Sequence, residues 1–318
     1  MSFMPRALIL SILITGFSII SAVAATPADF DSDGKADFAL YCPASGTWST
    51  QPGTGEGGFT AFKWGMNGDV IVPADYDGDH ITDVAVWRPQ TGMWYIRRSS
   101  DNGFLMLQWG QTTMHLPGGL ADVPVPADYD GDGAADVAVW RPDTGQWFIL
   151  KSSQRFNAGR AEISNWGQLG DVPVQADYDG DGKADTAVFR SWEKRWYIRL
   201  SGDGSWYLRE FGAAGDMLVP SDYTGDGKAD LAVYRKGTWF VLNSTSGGME
   251  PFQLGFGDDT PVPADYDGDG QTDFATYRKG IWYIYESGEP RLRTFKFGNS
   301  KDVPLNASNV RRGIAMAP

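Results

Sequence analysis

The sequence predicts an all-β protein, a β-propeller built from four-stranded antiparallel blades. An acidic motif recurs six times, the same series of apolar segments follows each copy, and no helical periodicity appears after residue 25. The motif has the form Asp-x-Asp-x-Asp-Gly-x-x-Asp, and its copies begin at Asp29, Asp75, Asp128, Asp177, Asp222 and Asp265. Their spacing of 43 to 53 residues is typical of one propeller blade per repeat.

An apolar run follows each acidic motif directly. Examples are DVAVWRP at 136–142, DTAVFR at 185–190 and DLAVYR at 230–235. Each run is continuous over five or six residues and is rich in valine and aromatic residues. Such a run predicts a strand that is buried on both faces.

A Trp-led segment forms the next element of each repeat, after a short turn such as PDTG at 142–145. These segments combine β-branched and aromatic residues and are predicted to be strands. Their tryptophans recur at the same phase of the repeat, which favours packing between blades over stacking on sugars. They are Trp94, Trp147, Trp196, Trp239 and Trp282.

Two further strands complete each repeat. One ends in an aromatic-Gly pair, and a short Asp-x-Pro-Val segment then leads into the next acidic motif. The pairs are Trp64-Gly65, Trp109-Gly110, Trp166-Gly167, Phe211-Gly212, Phe256-Gly257 and Phe297-Gly298. Units of about 45 residues could hardly bury a core alone, whereas neighbouring blades in a ring cover one another's faces. A closed ring is therefore favoured over a row of independent modules.

The ends of the repeat array decide the number of blades. A seventh unit begins at DVPLNASNV (302–310) but lacks every aspartate of the motif, and the first unit lacks the Asp-x-Pro-Val segment. We predict that the C-terminal DVPL segment supplies the missing strand of the first blade. This gives six blades in one domain, residues 26–310, followed by a tail at 311–318; seven blades are the alternative.

The first 25 residues have the pattern of a secretory signal. Arg6 precedes an apolar stretch at 7–20, and small residues at 21–25 provide a cleavage site near Ala24 or Ala25. The apolar stretch is short for a membrane span. We expect a secreted protein that is extracellular, periplasmic or at the cell surface, with no membrane insertion.

Cys42 is the only cysteine, so the chain cannot form an internal disulfide. It stands where later repeats have arginine. We expect a small buried hydrophobic residue there, with intermolecular pairing as the alternative.

The acidic motifs account for most of the charge. The formal net charge is −13, and the six motifs hold 23 of the 40 acidic residues, four in each except the fifth. Oxygen ligands at alternate positions with glycine at the sixth are what Ca²⁺ binds, whereas softer metals prefer His or Cys. In the third repeat Asp128, Asp130, Asp132 and Asp136 would donate side-chain oxygens, and Ala134 its backbone carbonyl.

These residues resemble the FG-GAP or VCBS-type repeats of integrin-α-like β-propellers. The resemblance covers residues 26 to about 310 and implies one calcium ion per repeat, in a loop that joins the first two strands of a blade. Such rings commonly serve adhesion or carbohydrate binding and sometimes act as scaffolds of polysaccharide lyases. The implied ligand sets of the other repeats are Asp29, Asp31, Asp33, Lys35 and Asp37; Asp75, Asp77, Asp79, Ile81 and Asp83; Asp177, Asp179, Asp181, Lys183 and Asp185; Asp222, Thr224, Asp226, Lys228 and Asp230; and Asp265, Asp267, Asp269, Gln271 and Asp273.

Two repeats depart from this pattern. His80 occupies the sixth position of the second motif, where the turn favours glycine, and Thr224 replaces a charged ligand in the fifth. We expect both sites to bind calcium more weakly.

Catalytic motifs are scarce. The two histidines, His80 and His115, lie near no recognisable nucleophile, and there is no phosphate-binding glycine loop.

We predict a non-catalytic binding or adhesion module for glycans or a cell-surface protein, with no nucleic-acid partner. A polysaccharide lyase or glycoside hydrolase on the same scaffold is the alternative, and a purely structural assembly module is the second. The sequence leaves the oligomeric state open.

Candidate ligand-binding residues lie mainly in the fourth repeat. Trp192 replaces a turn residue in SWEKR (191–195), and Trp206 and Tyr207 follow in the same unit, so this blade is the candidate for an aromatic platform. A recurrent arginine after the first apolar run could bind acidic glycans, but pairing with nearby carboxylates of the acidic loops is favoured. The insertion at 111–121 could serve as a binding loop, and simple length variation is equally compatible.

Overall fold

The computed structural model describes residues 28–111 and 120–305, and the backbone of 311–312. The predicted signal segment, most of the insertion at 111–121, and the last six residues therefore lie outside the described residues. Within the described part, the chain is an all-β propeller of six blades. None of its described helices has the length and apolar character needed to cross a membrane. One short 3-10 turn spans Ala158–Arg160.

Each blade is an antiparallel sheet of four successive strands, ordered from the innermost to the outer edge, and blade 5 has a fifth strand. In chain order the strands are β1 (Phe38–Cys42), β2 (Thr47–Gln51), β3 (Thr60–Lys63), β4 (Val70–Ile71), β5 (Val84–Arg88), β6 (Met93–Arg97), β7 (Phe104–Gln108), β8 (Val123–Pro124), β9 (Val137–Arg141), β10 (Gln146–Leu150), β11 (Glu162–Asn165), β12 (Val172–Pro173), β13 (Thr186–Arg190), β14 (Arg195–Arg199), β15 (Trp206–Glu210), β16 (Met217–Leu218), β17 (Leu231–Arg235), β18 (Thr238–Leu242), β19 (Met249–Gln253), β20 (Thr260–Pro261), β21 (Phe274–Arg278), β22 (Ile281–Glu286), β23 (Arg291–Lys296), β24 (Val303–Pro304) and β25 (Arg311–Arg312).

Blades 2, 3, 4 and 6 each use four consecutive strands: β4–β7, β8–β11, β12–β15 and β20–β23. The second strand of each blade carries the predicted continuous apolar run and is buried along most of its length, as β9 shows. The third strand alternates between buried and half-buried residues, and the outer strand is largely exposed, as in β6 and β7. Burial therefore decreases from the second strand to the edge of the blade.

The C-terminal DVPL segment closes the ring. β24 pairs antiparallel with β1, with Leu40 opposite Pro304 and Tyr41 opposite Val303, so blade 1 has the order β24-β1-β2-β3. The prediction of six blades closed by this segment is confirmed. Because the innermost strand of blade 1 comes from the end of the chain, both ends of the domain are fastened in one sheet.

Blade 5 contains an additional strand. β25 pairs with β16, with Met217 opposite Arg312 and Leu218 opposite Arg311, on the inner side of β16. The first two residues of the predicted tail at 311–318 thus continue the sheet of blade 5.

Among the described residues, six apolar clusters form the core, and each joins two neighbouring blades. One cluster, for example, contains Trp94 of blade 2 and Val139 of blade 3, and in another Phe38 of blade 1 packs against Trp282 of blade 6. The five predicted packing tryptophans are fully buried, which confirms their structural role. Trp48 is the equivalent residue of blade 1 and is buried as well. These indoles lie inside the blade interfaces and are therefore excluded as exposed sugar platforms.

Each of these tryptophans also has a hydrogen bond that fixes its position. The indole N–H of Trp147, for example, donates to the carbonyl of Trp166 at 2.8 Å, and that of Trp239 donates to Leu254. The hydrogen bond from Trp239 corrects the predicted aromatic-Gly pair of blade 5. Leu254-Gly255 takes the place that the aromatic-Gly pair has in the other blades. Gly255 has φ +107, the left-handed geometry of this turn, whereas the predicted pair Phe256-Gly257 lies two residues later. The Phe-Gly dipeptide that follows Leu-Gly in LGFG was mistaken for this landmark.

The recurrent arginines pair with carboxylates. Arg88 Nε lies 2.8 Å from Asp69, and Arg141 Nε lies 2.9 Å from Asp122. The same pair forms in blades 4, 5 and 6, as Arg190–Asp171, Arg235–Asp216 and Arg278–Asp259. The partners are the aspartates directly before the innermost strands, so the expected pairing with carboxylates of the acidic loops is wrong. These arginines are thereby engaged within their own blades.

Cys42 occupies the arginine position of blade 1, and Asp302 is the corresponding aspartate. Asp302 instead accepts hydrogen bonds from the backbone and side-chain amides of Asn299. Cys42 is half-buried, so it is less enclosed than the sequence suggested.

Candidate metal centre

In blades 2 to 6 the acidic motifs form loops that connect the innermost strand to the second strand, and in blade 1 the first motif forms the loop that leads into β1, the second strand of that sheet. In blade 3 the loop runs between β8 and β9. All six loops lie at one end of the propeller, which we call the loop face; the turns between the second and third strands lie at the opposite end, the hairpin face. This placement matches the expectation that each acidic loop joins the first two strands of a blade.

The first aspartate of each loop organises the backbone. In blade 3, Asp128 Oδ1 accepts the N–H of Gly131 at 2.6 Å and Oδ2 accepts that of Gly133 at 2.8 Å. The same two bonds recur at Asp29, Asp75, Asp177, Asp222 and Asp265. The chain is thereby wrapped around one carboxylate, with the remaining side chains of the loop gathered on the same centre.

The fourth and sixth positions of the loop both have positive φ. Glycine occupies them in most repeats because it enters this region without a Cβ clash. His80 has φ 66 at the sixth position of the second loop, as expected from its departure from the motif. Ser32 has φ 66 at the fourth position of the first loop, a departure that the sequence analysis did not recognise.

Five loops bring three carboxylates together. Their oxygen atoms lie within 4.8 Å of one another, a spacing at which one cation can contact all three. In blades 2, 3 and 4 the group consists of the first, third and ninth residues of the loop, such as Asp128, Asp130 and Asp136; in blades 1 and 6 it consists of the first, third and fifth. The fifth loop forms no such group among the described residues, and Thr224 stands there at the third position.

Two carboxylate oxygens in these groups are buried without a hydrogen-bond partner. They are Oδ1 of Asp77 and Oδ1 of Asp130, both at the third position of their loops. A buried carboxylate oxygen without a partner is costly, because it has lost its hydration. The protein supplies no hydrogen-bond donor to either atom. A hard cation held by oxygen ligands would give both atoms a partner.

The ninth aspartate is the most buried member of each loop and has a structural role of its own. Asp136 is 0% exposed. Its Oδ2 accepts the N–H of Tyr129 at 3.1 Å, and its Oδ1 accepts the N–H of Ser152 in the turn between β10 and β11. Equivalent bonds to Asp37, Asp83, Asp185, Asp230 and Asp273 fasten the loop to the outer half of each blade.

Burial changes the acidity of these aspartates. Desolvation raises the pKa of Asp37, Asp83 and Asp136 to about 7, although backbone hydrogen bonds act in the opposite direction. The same cause raises the pKa of Asp185 and Asp273 to about 6. Without a cation, the ionised form of these groups is therefore disfavoured at neutral pH.

A set of hydroxyls that the sequence analysis missed surrounds the loops. Ser152 Oγ donates to Asp132, Ser153 Oγ donates to Asp130, and Ser99 Oγ donates to Asp79. A serine recurs five residues after the packing tryptophan in blades 2 to 6, and this spacing was the available signal. The hydroxyls orient carboxylates that would hold a metal, which is the usual function of such outer contacts.

The six loops are joined head to tail by backbone hydrogen bonds. The N–H of the eighth residue of each loop donates to the carbonyl of the first residue of the preceding loop, for example Ala184 to Asp128 at 2.7 Å. The other members are Thr82 to Asp29, Ala135 to Asp75, Ala229 to Asp177, Thr272 to Asp222 and Ala36 to Asp265. The last bond links the sixth loop to the first, so the series forms a closed circle.

The family assignment follows from a family model that matches the repeats of this chain. The model of the FG-GAP-like repeat matches three successive and overlapping segments, residues 29–86, 75–139 and 128–188. Together they span half of the chain and contain the first four acidic loops. The chain belongs to the FG-GAP-like repeat family.

Solved structures share the fold of this FG-GAP-like propeller at low sequence identity. A lectin from Agrocybe aegerita that recognises non-reducing terminal N-acetylglucosamine is 14% identical, with a TM-score of 0.51 over 84% of this chain and 92% of that chain. TolB from Acinetobacter baumannii is 15% identical, with a TM-score of 0.54 over 84% and 65%. BBS1N in complex with ARL6DN is 13% identical, with a TM-score of 0.50 over 87% and 84%. No curated protein matches the chain.

The three ligand-binding candidates of the FG-GAP-like propeller do not form one platform. Trp192 lies in the turn before β14 on the hairpin face, whereas Trp206 begins β15 at the loop face. Trp206 is 59% exposed and its ring lies 6.1 Å from that of Trp166 in blade 3. Tyr207 points the other way and packs toward blade 5. The three aromatic side chains therefore belong to three separate surfaces.

Proposed function

We propose that this FG-GAP-like propeller binds calcium in its acidic loops and acts as a secreted, non-catalytic binding module for glycans or a cell-surface protein. The observation that carries the calcium proposal is the grouping of carboxylates in the loops together with the partnerless buried oxygens of Asp77 and Asp130.

In each loop, the first, third, fifth and ninth residues would hold the ion with side-chain oxygens, and the seventh with its backbone carbonyl. Bound calcium would supply positive charge to a site in which several carboxylates are desolvated together. The chain's own contribution is orientation, because the first aspartate shapes the loop and the serine hydroxyls position the third and fifth carboxylates. The second and fifth sites are proposed to be the weakest, since one has His80 at a glycine position and the other has Thr224.

Calcium titration followed by native mass spectrometry tests this proposal. The full mature chain should take up to six ions, the last two at higher calcium concentration. Asp130→Asn should remove one ion, because it neutralises a ligand in the third loop. Asp143→Asn is the matched control, since Asp143 is exposed in a turn of the hairpin face and should leave the stoichiometry unchanged. A protein that stays free of calcium at millimolar concentration contradicts the proposal.

The binding role is supported by the fold. The fold is shared with a glycan-recognising lectin, which supports a binding role without defining it. A glycan array in calcium buffer, followed by an assay for new reducing ends or unsaturated products on any hit, separates the candidates. Binding without turnover supports the module, turnover supports a lyase or hydrolase, and no binding supports a structural role.

Export is proposed from the first 25 residues. Expression of the full chain in a secreting host, with N-terminal sequencing of the exported product, should find a new terminus near Ala25. Retention of the intact N-terminus inside the cell would contradict this part of the proposal.

A further inference from the structure

Blade 4 is the one blade that carries a charged residue at a particular position of the surface facing its neighbour. In the outer strand, the residue paired with the packing tryptophan is apolar in four blades: Phe62, Leu107, Phe252 and Phe295. In blades 5 and 6 this phenylalanine stacks on the next blade, with ring centroids 4.7 Å apart for Phe252 and Phe274 and 4.3 Å apart for Phe295 and Phe38. Blade 3 has the small polar Ser164 at this position, opposite Trp147, and blade 4 has Arg209, opposite Trp196.

The substitution leaves a cleft between blades 4 and 5. Its volume is about 390 Å³, and it opens at the loop face. Tyr207 and Arg209 line one wall, Leu231 lies at the position where blade 6 has the stacking Phe274, and the turn from Asn243 to Gly247 forms the rim. Arginine and leucine do not close the interface as two phenyl rings do.

Three side chains that line this cleft offer hydrogen-bond donors, those of Arg209, Asn243 and Tyr207. Arg209 forms no ion pair within the described chain; its Nη1 donates to the carbonyl of Leu208, and its guanidinium lies 5.2 Å from the ring of Tyr207. Asn243 Oδ1 accepts the N–H groups of Thr245 and Ser246, so its amide nitrogen remains available as a donor. Among the described residues, the hydroxyl of Tyr207 likewise has no protein acceptor.

A ligand for this site must supply acceptors and negative charge. A carboxylate or sulfate group matches the fork of a guanidinium, and sugar hydroxyls match an amide and hydroxyls along the rim. The lining is too polar to receive a large apolar side chain, which favours a saccharide over a peptide. Nearby acidic loops would oppose such a ligand unless cations occupy them, so the loops must be loaded in any measurement.

We propose that the cleft between blades 4 and 5 binds an acidic saccharide, with Arg209 contacting its carboxylate or sulfate and Tyr207 and Asn243 contacting its hydroxyls. The inference rests on the proposed binding function and names the ligand class and the site.

Calorimetry of the mature protein in 1 mM CaCl₂, a concentration on the order of that found outside cells, tests the proposal. The probes are an unsulfated chondroitin hexasaccharide, which carries carboxylates, its 4-sulfated form, neutral chitohexaose, and hexaglutamate as an acidic peptide. We expect the acidic saccharides to bind; a stronger response to the sulfated form identifies sulfate as the group recognised. Arg209→Gln should weaken binding about tenfold or more, and Tyr207→Phe by about threefold to tenfold, since contacts to charged groups are the stronger.

Arg160→Gln is the matched control, because Arg160 is exposed on blade 3 and its loss changes the net charge equally. Unchanged binding in Arg209→Gln would overturn the assignment of the cleft while leaving the binding function intact. Binding of chitohexaose or hexaglutamate in preference to the acidic saccharides would overturn the ligand class. A protein that binds none of the saccharides, while the glycan array also finds no ligand, would remove the proposed glycan function itself.

Discussion

The backbone N–H of Ala36 in the first acidic loop donates to the carbonyl of Asp265 in the sixth loop at 2.7 Å, and this bond closes a circle of six. Each first aspartate thus has two roles: its carboxylate shapes its own loop, and its carbonyl holds the next blade. The backbone position of each loop is thereby tied to that of the loop that follows. Ions bound at these sites would stabilise the ring as well as the individual turns.

Removing calcium should lower the stability of the whole propeller. At a tenfold excess over Kd, each site contributes about 1.4 kcal/mol, so six sites contribute roughly 8 kcal/mol. The melting temperature in excess chelator should fall by roughly 15 °C or more from its value in millimolar calcium. Differential scanning fluorimetry measures the difference, with magnesium as the control ion. An unchanged midpoint would show that the loops hold the blades without a cation.

Asp136→Asn should destabilise blade 3 even before calcium is considered. The substitution places an amide donor against the N–H of either Tyr129 or Ser152 and leaves one of them unsatisfied in a buried site. The expected loss is about 2–3 kcal/mol in the free energy of unfolding. Urea denaturation in calcium-free buffer measures it. Asp143→Asn should stay within about 0.5 kcal/mol of the wild type, as exposed substitutions usually do.

His80→Gly should stabilise the second loop. His80 has φ 66, a conformation that glycine adopts without a steric cost. The gain should be about 0.5–1 kcal/mol and should accompany tighter calcium binding at this site. The reverse change in blade 3, Gly133→His, should produce a loss, since Gly133 has φ +88. Equal calcium affinities in all three proteins would mean that backbone strain does not set the affinity.

Thr224→Asp should complete the carboxylate group of the fifth loop. With calcium present, the extra charged ligand should raise the occupancy of that site at limiting ion concentration, which native mass spectrometry can follow. Without calcium, the same substitution should lower stability because it adds a charge beside Asp222 and Asp226. If the variant were more stable than the wild type in chelator, repulsion within the loop would not be significant.

The calcium-free protein should lose stability as pH rises from about 4 to about 7. The folded state keeps protons on Asp37, Asp83 and Asp136 up to pH about 7, whereas an unfolded chain releases them near pH 4. Below pH 4 both states are protonated and the contribution is fully present; above pH 7 it is gone. Urea titrations of dialysed protein across this range measure the slope. Calcium should weaken or reverse it, because the ion favours the ionised carboxylates.

Much of the fold could be predicted because the repeat is local. The acidic motif, the apolar run and the packing tryptophan lie within about 20 residues of one another, so each blade's second and third strands follow from their spacing alone. Assignment failed where two similar signals lay close together, as at Leu254-Gly255 and Phe256-Gly257, since only the hydrogen bond from Trp239 distinguishes them. Ser32 was overlooked because a serine in a turn carries no sign of its φ.

The amino-acid sequence by itself determined the number of repeats, the composition of the loops and the closure of blade 1 by DVPL, because each of these depends on the order of residues along the chain. Only the tertiary structure decided which aspartate each arginine pairs with, how the loops join in a circle, and that Trp192, Trp206 and Tyr207 lie on separate surfaces. The tertiary structure also revealed the cleft beside Arg209. These features depend on which residues face one another across blade interfaces, and such contacts arise only when the strands are stacked around a common axis.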